Sequence, residues 1–242
     1  SGTPTTNVTE TTVYNYQIET VGSNCEPEVV LTGSIQINPN QTIDLISPVN
    51  SDNQTVCVND QDNPATANTS SFVSIEYQLV GGATNYNIIG LPPGLTHNRT
   101  ISNTVLIDGF IDSSATTIAS PTVIYNYIIT TTGTCSDTQA LGVIEVHSLP
   151  TLSLTSSVTS ADQTGINAIC DGTPMETIIY EMGGGATLMD FTWVGSNTLS
   201  FAGSGFVQTN TGTQIILSGT PTTNVTETTV YNYQIETVGS NC

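Results

Sequence analysis

An all-β fold of tandem sandwich domains is what this sequence predicts, and three observations predict it. The 242 residues are 37% apolar and 9% charged, with Val, Ile and Thr recurring where a helical protein would carry Ala, Leu, Glu and Lys. Apolar and polar residues alternate over several short stretches, the period of a half-buried strand. Breaks rich in Gly or Pro separate those stretches: GGAT at 81–84, GLPPGLT at 90–96, GGGAT at 183–187 and SGTP at 218–221.

Charge narrows the partners. One basic residue, Arg99, faces twenty Asp and Glu, for a net charge of −19. Phosphate recognition needs a cationic patch that releases counterions, so nucleic acid is excluded, and anionic membrane surfaces fall with it. No apolar run approaches the length of about 18 residues that a spanning helix needs, so direct membrane insertion is not expected. The chain opens on SGTPTTNVTE, inside a polar pattern and without a leader, and reads as a piece of something longer. Five cysteines (Cys25, Cys57, Cys135, Cys170, Cys242) show no CxxC spacing and no neighbouring His. That usage points to disulfides in an oxidising compartment.

Internal repetition organises the rest. Residues 1–25 recur unchanged at 218–242, an offset of 218 − 1 = 217 residues. Identity that extends to exposed Asn and Thr is more than a fold requires, and a tandem array of that period accounts for it. A weaker repeat of roughly half that length lies inside the period. IDLISPVNSDNQTVC, ending at Cys57, matches LSLTSSVTSADQTGINAIC, ending at Cys170; IEYQLVGGAT (75–84) matches IIYEMGGGAT (178–187). TVIYNYIITTTGTC, ending at Cys135, matches TTVYNYQIETVGSNC, and GSIQINPN (33–40) matches GVIEVHSLP (142–150). The expected organisation follows: 1–40 the C-terminal part of one domain, 41–149 a complete domain, and 150–242 a domain lacking its last strand. By repeat position Cys57 pairs with Cys135 and Cys170 with Cys242, one bridge per domain, and Cys25 pairs outside the sequence. Each bridge would close some 70 to 80 residues, about 4 kcal/mol of chain entropy.

Element by element, Tyr14, Tyr16 and Ile18 alternate with Asn15, Gln17 and Glu19, and the pattern returns at Tyr125, Tyr127 and Ile129 and at Tyr231, Tyr233 and Ile235. The following strands turn Ile35 and Ile37, then Ile144 and Val146, inward. Short strands, regular turn signals and sparse bridges describe a sandwich of immunoglobulin type, with no helix.

The series from Cys57 through IEYQLVGGAT, GLPPGLT, LIDGF and VIYNYIITTTGTC to GVIEV resembles the immunoglobulin-like repeats of giant cell-surface proteins of the Bacteroidota, among them SprB-like gliding-motility adhesins. The resemblance covers nearly the whole chain and implies export by the type IX system, a surface location, and a role in adhesion or filament formation. Departures fall at turns: LIDGFID stands where the next repeat has LSGTP, and VGSNTL stands in place of GLPPGL.

No catalytic site is expected. His97 and His147 are the two histidines, neither has a nucleophile and carboxylate at a recognisable spacing, and the cysteines are assigned to bridges. Ca²⁺ is the one cofactor the composition admits. Its candidates are Asn59, Asp60 and Asp62 (with Asn63) in VNDQDN, and Asp108 with Asp112. Neither group fits the twelve-residue loop closed by a bidentate Glu, and VNDQDN has no acidic match after Cys170. Glu26 and Glu28 could frame a domain joint, but SDTQ fills the matching place after Cys135. Sequons occur at Asn7, Asn40, Asn53, Asn68, Asn98 and Asn224. The reading is a non-enzymatic repeat segment of a giant extracellular adhesin or surface fibre, with neighbouring repeats of the same chain or fibre as partners. The alternatives are a glycan-binding module and a filament subunit in which residues 26–40 fill the slot after Cys242 of a neighbour by β-augmentation.

Overall fold

The structure, a computed structural model, describes residues 2–5, 7–22, 29–58, 72–117, 119–200, 202–238 and 242. In chain order the strands are β1 (Thr12–Glu19), β2 (Val30–Ile37), β3 (Thr42–Leu45), β4 (Asn53–Cys57), β5 (Ile75–Val80), β6 (Ala83–Ile89), β7 (Leu95–Arg99) and β8 (Thr104–Gly109). They continue as β9 (Thr122–Gly133), β10 (Gln139–His147), β11 (Thr151–Leu154), β12 (Ile178–Gly183), β13 (Leu188–Val194), β14 (Phe206–Asn210), β15 (Gln214–Gly219) and β16 (Asn232–Val238). Two single 3₁₀ turns complete the secondary structure, and the described residues hold no α-helix. The protein is all-β. The chain forms two compact units, comprising among the described residues 2–54, 72–110 and 124–145, and 55–58, 111–123 and 146–242.

The first sandwich has two four-stranded sheets, ordered β3-β5-β8-β7 and β4-β10-β9-β6. Period-two alternation makes it: on β5, Ile75, Tyr77 and Leu79 are buried while Glu76 and Gln78 keep contact with water. Val105 and Ile107 stand opposite Tyr77 and Ile75 on β8, and Ile129 stands opposite Ile88 across β6 and β9. Backbone N–H groups of Val143 and Val58 donate to the carbonyls of Asp52 and His147, advancing together along both segments, so β4 and β10 run parallel. The Tyr77 and Tyr127 hydroxyls meet 3.0 Å apart inside the sandwich, and both rings are buried. Burial raises the phenol pKa of both; for Tyr127 the Tyr77 hydroxyl raises it further.

That shift sets an alkaline limit. Folded Tyr127 keeps its proton where the unfolded phenol ionises from about pH 10, so above that pH the unfolded chain binds fewer protons and stability falls as pH rises. Tyr127→Phe is expected to flatten the fall of the urea midpoint above about pH 10. Equal slopes in the two proteins would refute the assignment.

The second sandwich pairs a four-stranded sheet, β11-β12-β15-β14, with β13-β16. Ile178, Met189, Leu199, Phe206, Ile215 and Leu217 form its core. Phe191, Trp193, Tyr231, Tyr233 and Ile235 pack against them only partly buried. The tyrosine pair recurs as Tyr180 and Tyr233, hydroxyls 3.1 Å apart, half-buried here. Burial again leads the upward shift of the Tyr233 phenol.

Local devices repeat between the two. Gln54 donates to the carbonyls of Ser51 and Val73 and accepts from the Val73 N–H; Gln163 does the same with Ser160 and Glu176. The departures at the LIDG and LSGT turns leave one geometry, since Gly109 (φ +131°) and Gly219 (φ +123°) each pass against a glycine carbonyl that leaves no room for a Cβ.

Strands β1 and β2 form a hairpin in which Thr12 stands opposite Ile37, Tyr14 opposite Ile35, Tyr16 opposite Gly33 and Ile18 opposite Leu31. Its apolar face is open: Tyr16 is 49% and Ile35 54% exposed.

Candidate functional site

The chemistry of the molecule concentrates where one repeat passes to the next. In the second unit β10 ends at His147, which is buried and lies 2.8 Å through Nδ1 from the Thr122 hydroxyl. Its carbonyl accepts the Val58 N–H at 2.9 Å, which holds the end of β4 beside the end of β10. Cys242 Sγ lies 3.8 Å from the same carbonyl oxygen, and Cys57 and Cys242 form a disulfide. The connector that follows is seated by Gly184 (φ +63°), where a Cβ would stand 1.9 Å from the Leu149 carbonyl oxygen.

This bond corrects the expected pairing. Bridges Cys57–Cys135 and Cys170–Cys242 within each domain do not form; Cys57 joins Cys242 across 185 residues, and Cys135 and Cys170 are free thiols. The physical reason is strand length. Cys57 sits beside His147 at the end of β10, whereas Cys135 precedes Gln139 at its start, and nine residues of strand hold those ends about 26 Å apart. A disulfide tolerates roughly 7 Å between Cα atoms. Repeat position identified the cysteines as equivalent but not which end of the strand each occupies. Cys25, Glu26 and Glu28 lie outside the described residues. In the chain-entropy account a loop of 185 residues restricts the unfolded chain by about 5 kcal/mol.

The first unit repeats the joint. Asn38 follows β2 as His147 ends β10, and Cys135 Sγ lies 3.8 Å from the Asn38 carbonyl oxygen. Gly81 (φ +69°) is seated on the Asn40 carbonyl, 2.0 Å from where its Cβ would be. Gln41, almost wholly buried, donates through Nε2 to the Cys135 carbonyl at 2.6 Å, and the Thr138 hydroxyl donates to the Gln41 carbonyl at 2.9 Å. The part that Asn38, Asn40, Gln41 and Gly81 play in this joint escaped sequence reasoning; the matched strands GSIQINPN and GVIEVHSLP carried the signal, since both place the connector after the same strand end.

Remaining candidates serve as turn acceptors. Asp108 accepts from the Ser74 hydroxyl and the Gly109 N–H, and Asp112 accepts the Ser114 N–H at the start of a 3₁₀ turn, which lowers its pKa. His97 Nδ1 lies 3.1 Å from the Tyr86 hydroxyl on the surface. Asn59, Asp60, Asp62 and Asn63 lie outside the described residues. Among the described residues no three His, Cys, Asp or Glu side chains gather into a metal-binding group. No described helix is long and apolar enough to cross a membrane.

No protein-family model matches the sequence, and no curated protein matches it. Among solved structures, an E-to-A variant of a three-immunoglobulin-domain titin fragment is similar over 96% of this chain and 70% of its own, with a TM-score of 0.52 and 8% identity. The corresponding I-band titin fragment gives 0.50 and 10% over the same shares. The likeness shows the fold: immunoglobulin-like β-sandwich repeats.

Proposed function

We propose that the chain is a non-enzymatic repeat segment of an extracellular adhesin or surface fibre, serving as a load-bearing stalk. The carrying observation is the Cys57–Cys242 bond, which ties the end of β4 to the segment after β16 across 185 residues of chain. A bond so placed keeps the chain between its two cysteines from extending under load, and its persistence requires an oxidising compartment. A surface with one cation and net charge −19 keeps neighbouring fibres mutually repulsive at neutral pH. The finer reading, a gliding-motility adhesin exported by the type IX route, is supported by the resemblance of the strand and turn motifs.

An antibody raised against the folded chain is expected to label filaments on intact cells of the source organism, and the label is expected to vanish in a strain without the type IX machinery. Labelling only after permeabilisation would overturn the surface reading. Surface label that survives loss of the machinery would overturn the type IX route alone.

A further inference from the structure

Two thiols and an open strand edge remain after the Cys57–Cys242 bond is drawn: Cys135, Cys170, and β16, which among the described residues pairs with β13 alone. We infer that a second copy docks head to tail, its Val30–Ile37 strand pairing with β16, and that Cys170 of the first copy then forms a disulfide with Cys135 of the second.

The strand is specified by register. Residues 229–236 repeat 12–19 without change, so β16 presents to β2 the same side chains as β1 does. Shifting the β1–β2 register by 217 residues puts Tyr233 opposite Gly33, Ile235 opposite Leu31 and Asn232 opposite Ser34. Gly33 is required in that place. A Cβ on Gly33 would stand 2.4 Å from the Tyr16 ring, and Gly142 holds the same relation to Tyr127 in the complete sandwich. Ile35 and Ile37 correspond to Ile144 and Val146, which are fully buried where the sandwich is closed. In the exchange β16 replaces an identical strand, so backbone pairing is conserved, and the gain is the apolar face of β2 laid over the partly buried Phe191, Trp193 and Tyr233.

The cysteines follow from the same superposition. Cys57 is brought to its partner because β4 pairs with β10 and ends beside His147. Cys170 is the counterpart of Cys57, but its segment forms a 3₁₀ turn at Gly165–Asn167 and no strand, because the strand it would join is not beside it. It is exposed, and the chain after it is anchored by Asp171, which accepts the N–H and hydroxyl of Thr223. Cys135 waits 3.8 Å from the Asn38 carbonyl at the end of β2, the place Cys242 occupies against His147. Docking β2 on β16 therefore carries Asn38 and Cys135 of the second copy to the end of the Cys170 segment. The bond needs a two-electron oxidant, here a small-molecule disulfide. A thiolate attacks oxidised glutathione, releasing one reduced glutathione; the other cysteine attacks the mixed disulfide and releases the second, and each departing thiolate takes up a proton.

The full chain carrying Cys25→Ser, incubated with oxidised and reduced glutathione, is expected to give a ladder of covalent multimers on a non-reducing gel, with Cys135–Cys170 as the cross-link in peptide mapping. Cys135→Ser alone and Cys170→Ser alone lose the ladder, and a mixture of the two stops at dimers. A synthetic 29–38 peptide is expected to suppress the ladder, and the same peptide with Gly33→Val is expected to leave it intact. Cross-links joining Cys135 to Cys135 or Cys170 to Cys170, or a ladder indifferent to the peptide, would overturn the proposal. Neither outcome bears on where the fibre is displayed on the cell, so the surface reading stands or falls separately.

Discussion

Pulled by its two ends in oxidising buffer, the chain is expected to fall short of its full contour length by roughly 650 Å, the span of the 185 residues closed by Cys57–Cys242 at about 3.5 Å each. Only the residues before Cys57 lie outside that loop, so force passes from them through the bond to Cys242 and bypasses the chain within the loop. Cys57→Ser, or reductant added to the native chain, is expected to release the missing length in single-molecule extension. The change is all or none, because a covalent loop transmits force without extending. An extension trace that is the same with and without Cys57 would mean that the bond does not form in solution, and the load-bearing reading would lose its support.

The second large effect is expected at Gly142. A Cβ there would stand 2.1 Å from Cζ and 2.2 Å from the hydroxyl of Tyr127, a ring with no exposed surface whose hydroxyl lies 3.0 Å from that of Tyr77. The ring has nowhere to move, so Gly142→Ala forces the strands apart at a cost of about 3 kcal/mol, the upper end of core overpacking. Gly33→Ala meets Tyr16 at nearly the same distance, yet that ring is 49% exposed and free to swing outward. The expected result is a large drop in the urea midpoint for Gly142→Ala and little change for Gly33→Ala. Equal losses would show that the glycine is needed for the strand backbone and not for the tyrosine above it.

The same contrast shows how far the sequence could be read. Alternation placed Tyr125, Tyr127 and Ile129 on one strand and Ile144 and Val146 on the next, and the structure buries Tyr127, Ile129, Ile144 and Val146 as that pattern requires. It could not tell that Tyr16 and Tyr233, identical in neighbours, meet different surroundings: Tyr16 lies on an open hairpin, while Tyr233 is bonded to Tyr180 and to the Ala161 carbonyl. Nor could it find the joint. Gln41 is polar and follows a Pro-containing connector, which reads as a solvated link, yet it is 3% exposed, its Nε2 donating to the Cys135 carbonyl and its backbone carbonyl accepting from the Thr138 hydroxyl.

Local pattern by itself determined the all-β class, the strand faces, the glycine breaks and the equivalence of the cysteines, since each depends on residues a few positions apart or on matching one repeat with another. The cysteine partners and the covered or bare state of each apolar face were decided only by tertiary structure. A strand has two ends and two edges, and which neighbour stands at each depends on chain that lies a hundred or more residues away. Cys57 meets Cys242 because parallel pairing of β4 with β10 ends both strands at His147, a coincidence in space that no local spacing encodes.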